Sequence, residues 1–232
     1  MSQLRVLVTG GGRGIGRAIA LRFAREGAKV AVAARSSDQL DAVVREIESL
    51  GGHGLAAQMN VGDWGSVEAA VYRATQFTGE VLDVLVNCAG AFAIKPFQQM
   101  DTETWDRMIS VNLTGAFYAT MESLDALLES DRAHVFNVAS VAAKQGFAGN
   151  TAYCASKYGL RGFGDALRED LRDQGVRVTT VYPGPTNTTI FDGIPGDWDR
   201  SKMNQPEHVA EVVWSAYQSG DAPADLDVPP RE

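Results

Sequence analysis

Tyr153 and Lys157 are four residues apart in the run Tyr153-Cys154-Ala155-Ser156-Lys157. On a helix that spacing puts both side chains on one face. An ammonium beside a phenol favours the phenolate and lowers the phenol pKa from about 10. A tyrosine brought toward neutrality can serve as general acid or base. Ser140 is expected at the end of the preceding strand, where α/β sheets gather ligand-contacting groups. Tyr and Lys also meet at this spacing on surface helices by chance, so the pair takes its meaning from what lies upstream.

Upstream is Thr9-Gly10-Gly11-Gly12-Arg13-Gly14-Ile15-Gly16, between an apolar strand pattern and a helical one. Glycines let backbone approach a pyrophosphate, and a helix N-terminus offers it free N–H groups and partial positive charge. The pattern G-x-G-x-x-G fails, because Gly10 and Gly12 would need glycine where Ile15 stands. T-G-x-x-x-G-x-G fits through Thr9, Gly10, Gly14 and Gly16. A turn without a ligand is the plainer alternative. The second strand ends Ala33-Ala34-Arg35-Ser36, with no acid at its tip to hold a free ribose. Arg35, with Arg13 in the turn, could pair bidentately with a 2′-phosphate; each could equally be a solvated surface arginine. Together with the missing acid they favour NADP(H).

The chain resembles the short-chain dehydrogenase/reductase family, and within it the 3-oxoacyl carrier-protein reductases. The resemblance runs from about residue 4 to 217 and rests on six motifs in order. They are Thr9-Gly10-(x3)-Gly14-Ile15-Gly16, Asn87-Cys88-Ala89-Gly90, Asn112 in Val111-Asn112, Ser140, Tyr153-(x3)-Lys157, and Pro183-Gly184 with Thr188. It implies a carbonyl oxygen protonated by Tyr153 and hydrogen-bonded by Ser140. It implies Lys157 on the nicotinamide ribose, depressing the Tyr153 pKa, and Asn112 anchoring a water that leads from Lys157 to solvent. Asn87, Ala89 and Gly90 would line the cofactor, with Pro183, Gly184 and Thr186 nearby and Thr188 on the carboxamide. Asn60-Val61 stands where the family often has Asp-Val against the adenine; an amide can still hydrogen-bond there.

These groups need a scaffold. Residues 4–9, 29–34, 82–87, 133–140 and 176–182 are near-continuous apolar runs, as expected for strands covered on both faces. Residues 53–59 are a weaker sixth, and 226–228 a short last strand before Pro229 and Pro230. Helical patterns fill the gaps at 14–26, 38–50, 63–77, 102–128, 152–173 and 206–217. The alternation predicts an α/β fold: a single Rossmann-type, doubly wound parallel sheet with helices on both faces. The whole chain, 1–232, is expected to be one dinucleotide-binding and catalytic domain. The irregular stretch 183–205, with Pro183, Pro185, Gly193, Pro195 and Gly196, carries a substrate lid at about 186–205.

With 29 acidic residues against 21 basic ones and a net charge of −8, the chain lacks the electrostatic footprint of a nucleic-acid or anionic-membrane binder. The opening apolar run is too short for a signal peptide or a span, so a cytoplasmic protein is expected. Cys88 and Cys154 form no disulfide framework, and His53, His134 and His208 lack metal-ligand spacing, so no metal is expected. Phe92, Phe147, Ile190, Phe191 and Trp198 are candidates for an apolar pocket taking a ketone, an aldehyde, a secondary alcohol or a 3-oxoacyl group. Small residues such as Gly115, Ala119, Gly159 and Gly162 on helices 102–128 and 152–173 point, through the family, to a homodimer or homotetramer. A dinucleotide-binding sensor or scaffold with vestigial activity is the alternative function.

Overall fold

Strands that are apolar on both faces must be covered on both faces, and parallel connections supply helices to do it. The computed structural model describes residues 3–194, 196, 198–220 and 222–229. Among them, seven strands form one parallel sheet in the order β3-β2-β1-β4-β5-β6-β7. The strands are β1 (Arg5–Thr9), β2 (Lys29–Ala34), β3 (His53–Gln58), β4 (Val84–Asn87), β5 (His134–Val138), β6 (Arg177–Pro183) and β7 (Asp225–Val228). The helices are α1 (Gly14–Ala24), α2 (Ser37–Ser49), α3 (Trp64–Thr78), α4 (Thr102–Ile109), α5 (Gly115–Leu128), α6 (Thr151–Leu171) and α7 (Pro206–Gln218). Pro195 and Pro230 lie outside the described residues.

Side chains alternate across β1. Val6 and Val8 enter a core shared with α1, α2 and α7, while Leu7 enters one shared with α3, α5 and the end of α6. This is the Rossmann-type doubly wound architecture expected. No helix among the described residues is long and apolar enough to cross a membrane.

Two elements depart from the sequence pattern. The helix expected over 102–128 is broken into α4 and α5 by a π-helical turn, Ser110–Thr114. Continuous apolar periodicity hides such a turn, because it changes backbone register without changing residue type. The strand expected to reach Ser140 stops at Val138. Ser140 follows in extended conformation and caps a short 3₁₀ turn, its Oγ accepting from Ala142 N at 3.1 Å.

At the base of the sheet, away from the strands' C-terminal ends, Asp83 is a fully buried carboxylate. Its oxygens accept from Arg5 N, Nε and Nη2 at 2.9–3.0 Å, from Ser130 Oγ at 2.7 Å, and from Arg132 Nε and Nη2 at 3.1 and 3.2 Å. The carboxylate thus joins β1, β4 and the turn before β5. Burial alone would raise its pKa, but these donors hold it at about 2. A depressed folded-state pKa contributes stability that is complete above the unfolded value near 4 and lost as pH falls through 2. Asp83→Asn should therefore destabilise by on the order of 3 kcal/mol at neutral pH. It should also flatten the loss of stability between about pH 4 and pH 2. Urea melts at pH 7, 4 and 2.5 check both outcomes; parallel curves for the two proteins would contradict the second.

Candidate active site

Thr9 ends β1, and its hydroxyl is shared across to β4. Thr9 Oγ1 accepts from Cys88 N and Ala89 N, both at 3.1 Å. Gly10 follows at φ +68°, and a Cβ there would lie 2.8 Å from the Ala89 backbone. The ends of β1 and β4 are thus in backbone contact at the point where the strand order reverses, the ligand crevice of open α/β sheets. Gly16, in the first turn of α1, packs just as closely: a Cβ would lie 2.4 Å from the Gly10 carbonyl oxygen. The first turn of α1 has no side-chain cap and no acidic residue. Its amides and dipole are available to an anion, so the turn fits a dinucleotide pyrophosphate.

Around this crevice runs a cleft of about 730 Å³. Every site residue named from the sequence lines it except Asn87 and Asn112. Arg13 and Arg35 border it near Ala34, both exposed and without an ion-pair partner among the described residues. Ser36 and Gln39 stand beside them and Arg107 lines the wall near Val111; the sequence reading missed all three. Ser36 and Gln39 were legible as neighbours of the β2 tip. Arg107 was not, because it is brought there by packing: α4 leads into a turn whose Ser110 Oγ would lie 2.5 Å from a Cβ on Gly62.

The two exceptions lie behind the wall. Asn87 was expected to line the cofactor; instead its Nδ2 donates to Thr120 Oγ1 and Asn137 Oδ1, both at 2.9 Å, joining β4 to α5 and β5. Asn112 occupies the π turn. Its Oδ1 accepts from Ala91 N at 2.7 Å, and its Nδ2 donates to Ala91 O at 3.0 Å and Ser156 Oγ at 2.9 Å. Ser156 Oγ in turn donates to Tyr153 O at 2.7 Å. Asn112 therefore ties the loop after β4 to the turn of α6 that carries Tyr153. Asn60 keeps its place at the cleft, with Oδ1 accepting from Gly62 N at 3.3 Å.

Tyr153, Ser140 and Lys157 converge on one wall. Burial pushes the Tyr153 phenol up to about 12, and a hydrogen bond with Ser140 offsets part of the rise. Burial also pulls the Lys157 ammonium down to about 8. The expected lowering of Tyr153 by Lys157 is thus reversed in the protein alone. The reason is geometric: Lys157 Nζ donates to Val138 O at 2.9 Å and lies 5.9 Å from the phenol ring centroid. Desolvation then outweighs the cation. Cys88 also lines the cleft, and burial pushes its thiol up to about 12.

The short chain dehydrogenase family model matches residues 5–197, and the chain belongs to that family. Among its relatives, a 2,5-dichloro-2,5-cyclohexadiene-1,4-diol dehydrogenase from Sphingobium indicum is 35% identical over 86% of this chain and 79% of the relative. An acetoacetyl-CoA reductase from Cupriavidus necator is 33% identical over 95% of this chain and 94% of the relative. An alcohol dehydrogenase from Thermococcus sibiricus, solved with 5-hydroxy-NADP, superposes with a TM-score of 0.90 at 26% identity, covering 98% and 96% of the two chains. The protein is thus an oxidoreductase of the nicotinamide-dinucleotide-binding type.

The glycine contact yields a direct test. Gly16→Ala drives a methyl into rigid backbone and should weaken binding of a nicotinamide dinucleotide, NADH or NADPH, about tenfold or more. Gly162→Ala, where a Cβ meets nothing within 4 Å, should leave it unchanged. Fluorescence titration with NADH and NADPH reads both.

Proposed function

We propose that the protein is an NADP(H)-dependent oxidoreductase acting on a ketone or aldehyde, or in reverse on a secondary alcohol. The observation that carries this reading is the convergence of Tyr153, Ser140 and Lys157 on the same cleft as the uncapped glycine turn of α1. A bound nicotinamide supplies or accepts the hydride. The chain's own groups manage the oxygen. Tyr153, protonated throughout the neutral range, donates its phenol proton to the carbonyl oxygen. Ser140 hydrogen-bonds the same oxygen and orients it. Lys157 holds the ribose hydroxyls and, as phenolate develops, stabilises that charge. Asn112 acts through Ala91 and Ser156, fixing the loop and helix between which Tyr153 works, and anchors the water path toward Lys157.

NADP(H) rather than NAD(H) is supported by the uncharged Ala34 at the β2 tip and by Arg13 and Arg35 beside it, which have no ion-pair partner among the described residues. Asn60 and Val61 would receive the adenine. Segment 186–205 is read as the substrate lid. It is anchored by a Thr186–Asn204 bridge and by Arg200, which donates to Asn187 Oδ1 and Thr188 O at 3.3 Å. A cytoplasmic homodimer through α5 and α6 suits the exposed Phe117 and Met121, with Phe117 edge-on to Phe163.

Three outcomes are expected. Tyr153→Phe should keep cofactor affinity and lose about 10²–10⁴ of kcat; a variant retaining a tenth of the rate would contradict the acid role. For pH, Lys157 carries its charge below about 8 and loses it above. Reductive kcat/KM should therefore be level from pH 6 to about 8 and fall beyond. Lys157→Met should show a lower rate without that fall, as initial rates across the range will show. For the cofactor, Ala34→Asp should reverse a preference for NADPH of about a hundredfold at low salt, by repelling the 2′-phosphate and accepting ribose hydroxyls. Equal wild-type affinity for NADH and NADPH would remove Arg13 and Arg35 as phosphate ligands.

A further inference from the structure

The carbonyl end of the cleft is built from rings. Phe92 meets Tyr153 edge-on at 4.8 Å between centroids, Phe191 at 5.5 Å and Trp198 at 6.2 Å, and Phe191 lies 4.6 Å from Trp198. Phe147 and Ile190 complete the lining. These side chains come from three separate segments: the loop after β4, the loop after Ser140, and the lid. Phe92 is the hub, touching the catalytic phenol on one side and both lid aromatics on the other.

The same three segments carry four cations, and each is engaged. Lys95 pairs with Asp101, Lys144 with Asp227, Arg200 with Asp192, and Lys202 with Asp199. Within the lid, Asp192 and Asp199 thus match Arg200 and Lys202 one for one. Arg13 and Arg35, without an ion-pair partner among the described residues, line the cleft from the glycine turn and the β2 tip instead. Arg107, four residues before Val111, lines the cleft from α4, outside these three segments.

From this we infer that the substrate is an uncharged, flat ring ketone (aryl or fused cyclic) rather than a phosphate-bearing 3-oxoacyl thioester. Aromatic walls take a flat ring edge-to-face or offset. A thioester's phosphates would find the cations of these segments already paired with carboxylates. On reduction the carbonyl carbon gains the hydride, the oxygen gains the Tyr153 proton, NADPH is oxidised to NADP⁺, and Tyr153 is reprotonated from solvent; the ring is untouched. The inference rests on the carbonyl-reductase reading but tests apart from it, because binding can be measured without turnover.

The experiment is calorimetric titration of 1-tetralone and of acetoacetyl-CoA into the NADP⁺-loaded protein, where neither ketone can be reduced. 1-Tetralone should bind at least about tenfold more tightly. Phe92→Ala and Trp198→Ala should each weaken it by about tenfold while NADP⁺ affinity is retained, which shows that the variants fold. Phe92→Tyr should restore most of the loss. Tighter binding of acetoacetyl-CoA, no binding of 1-tetralone, or indifference of 1-tetralone to both ring deletions would overturn the inference. A parallel assay of NADPH oxidation separates the two readings. Selective binding of 1-tetralone without reduction supports the ring-ketone site and overturns the reductase activity.

Discussion

The site depends on one hydroxyl. Thr9 Oγ1 takes the backbone N–H groups of Cys88 and Ala89, donors that the end of β4 would otherwise leave unpaired. That contact draws the tips of β1 and β4 together and leaves room only for glycine at position 10. The glycine turn must then rise over β4 before α1 begins. Helix dipole, uncapped amides and cleft floor are thereby aimed at one place. A looser junction would keep the fold and lose the aim.

On the opposite wall, the protein holds an acid and a cation in states displaced by burial. The phenol is kept protonated and the ammonium is kept on the edge of neutrality. Neither partner corrects the other directly, since Lys157 is turned to the Val138 carbonyl. Buried and held by the Val138 carbonyl, the ammonium keeps a fixed place on the cleft wall. Asn112 and Ser156 supply the rigidity. They fasten the loop after β4 to the first turns of α6 through three short hydrogen bonds.

Much of this was legible in the sequence, for identifiable reasons. Strands such as Val6-Leu7-Val8 read clearly because both faces are buried and no polar residue interrupts them. The glycine turn read clearly because only glycine tolerates the Gly10 and Gly16 approaches. The π turn at Asn112 did not, since its cause is a side chain bonding backbone from a distant loop. The Asn87 bonds to Thr120 and Asn137 were not legible, because an asparagine at a strand end looks the same in sequence whatever its side chain meets. The Tyr153 pKa was misread because spacing reports proximity to Lys157, whereas burial and the direction of the ammonium decide the balance. Arg107 had no signal, as only the docking of α4 brings it to the cleft.

The Asp83 junction also bears on how the chain is made. Its partner Arg5 lies 78 residues earlier, and β1 pairs with β2 on one side but with β4 on the other. During synthesis β1 emerges before β4, so one of its edges waits for that partner. Until then the edge of a hydrophobic strand at the centre of the final sheet is open to any neighbouring chain. Arrival of Asp83 closes that interval in one step, since the same carboxylate that fixes the register neutralises Arg5. A chain cut short before β4 would therefore keep that edge of β1 open.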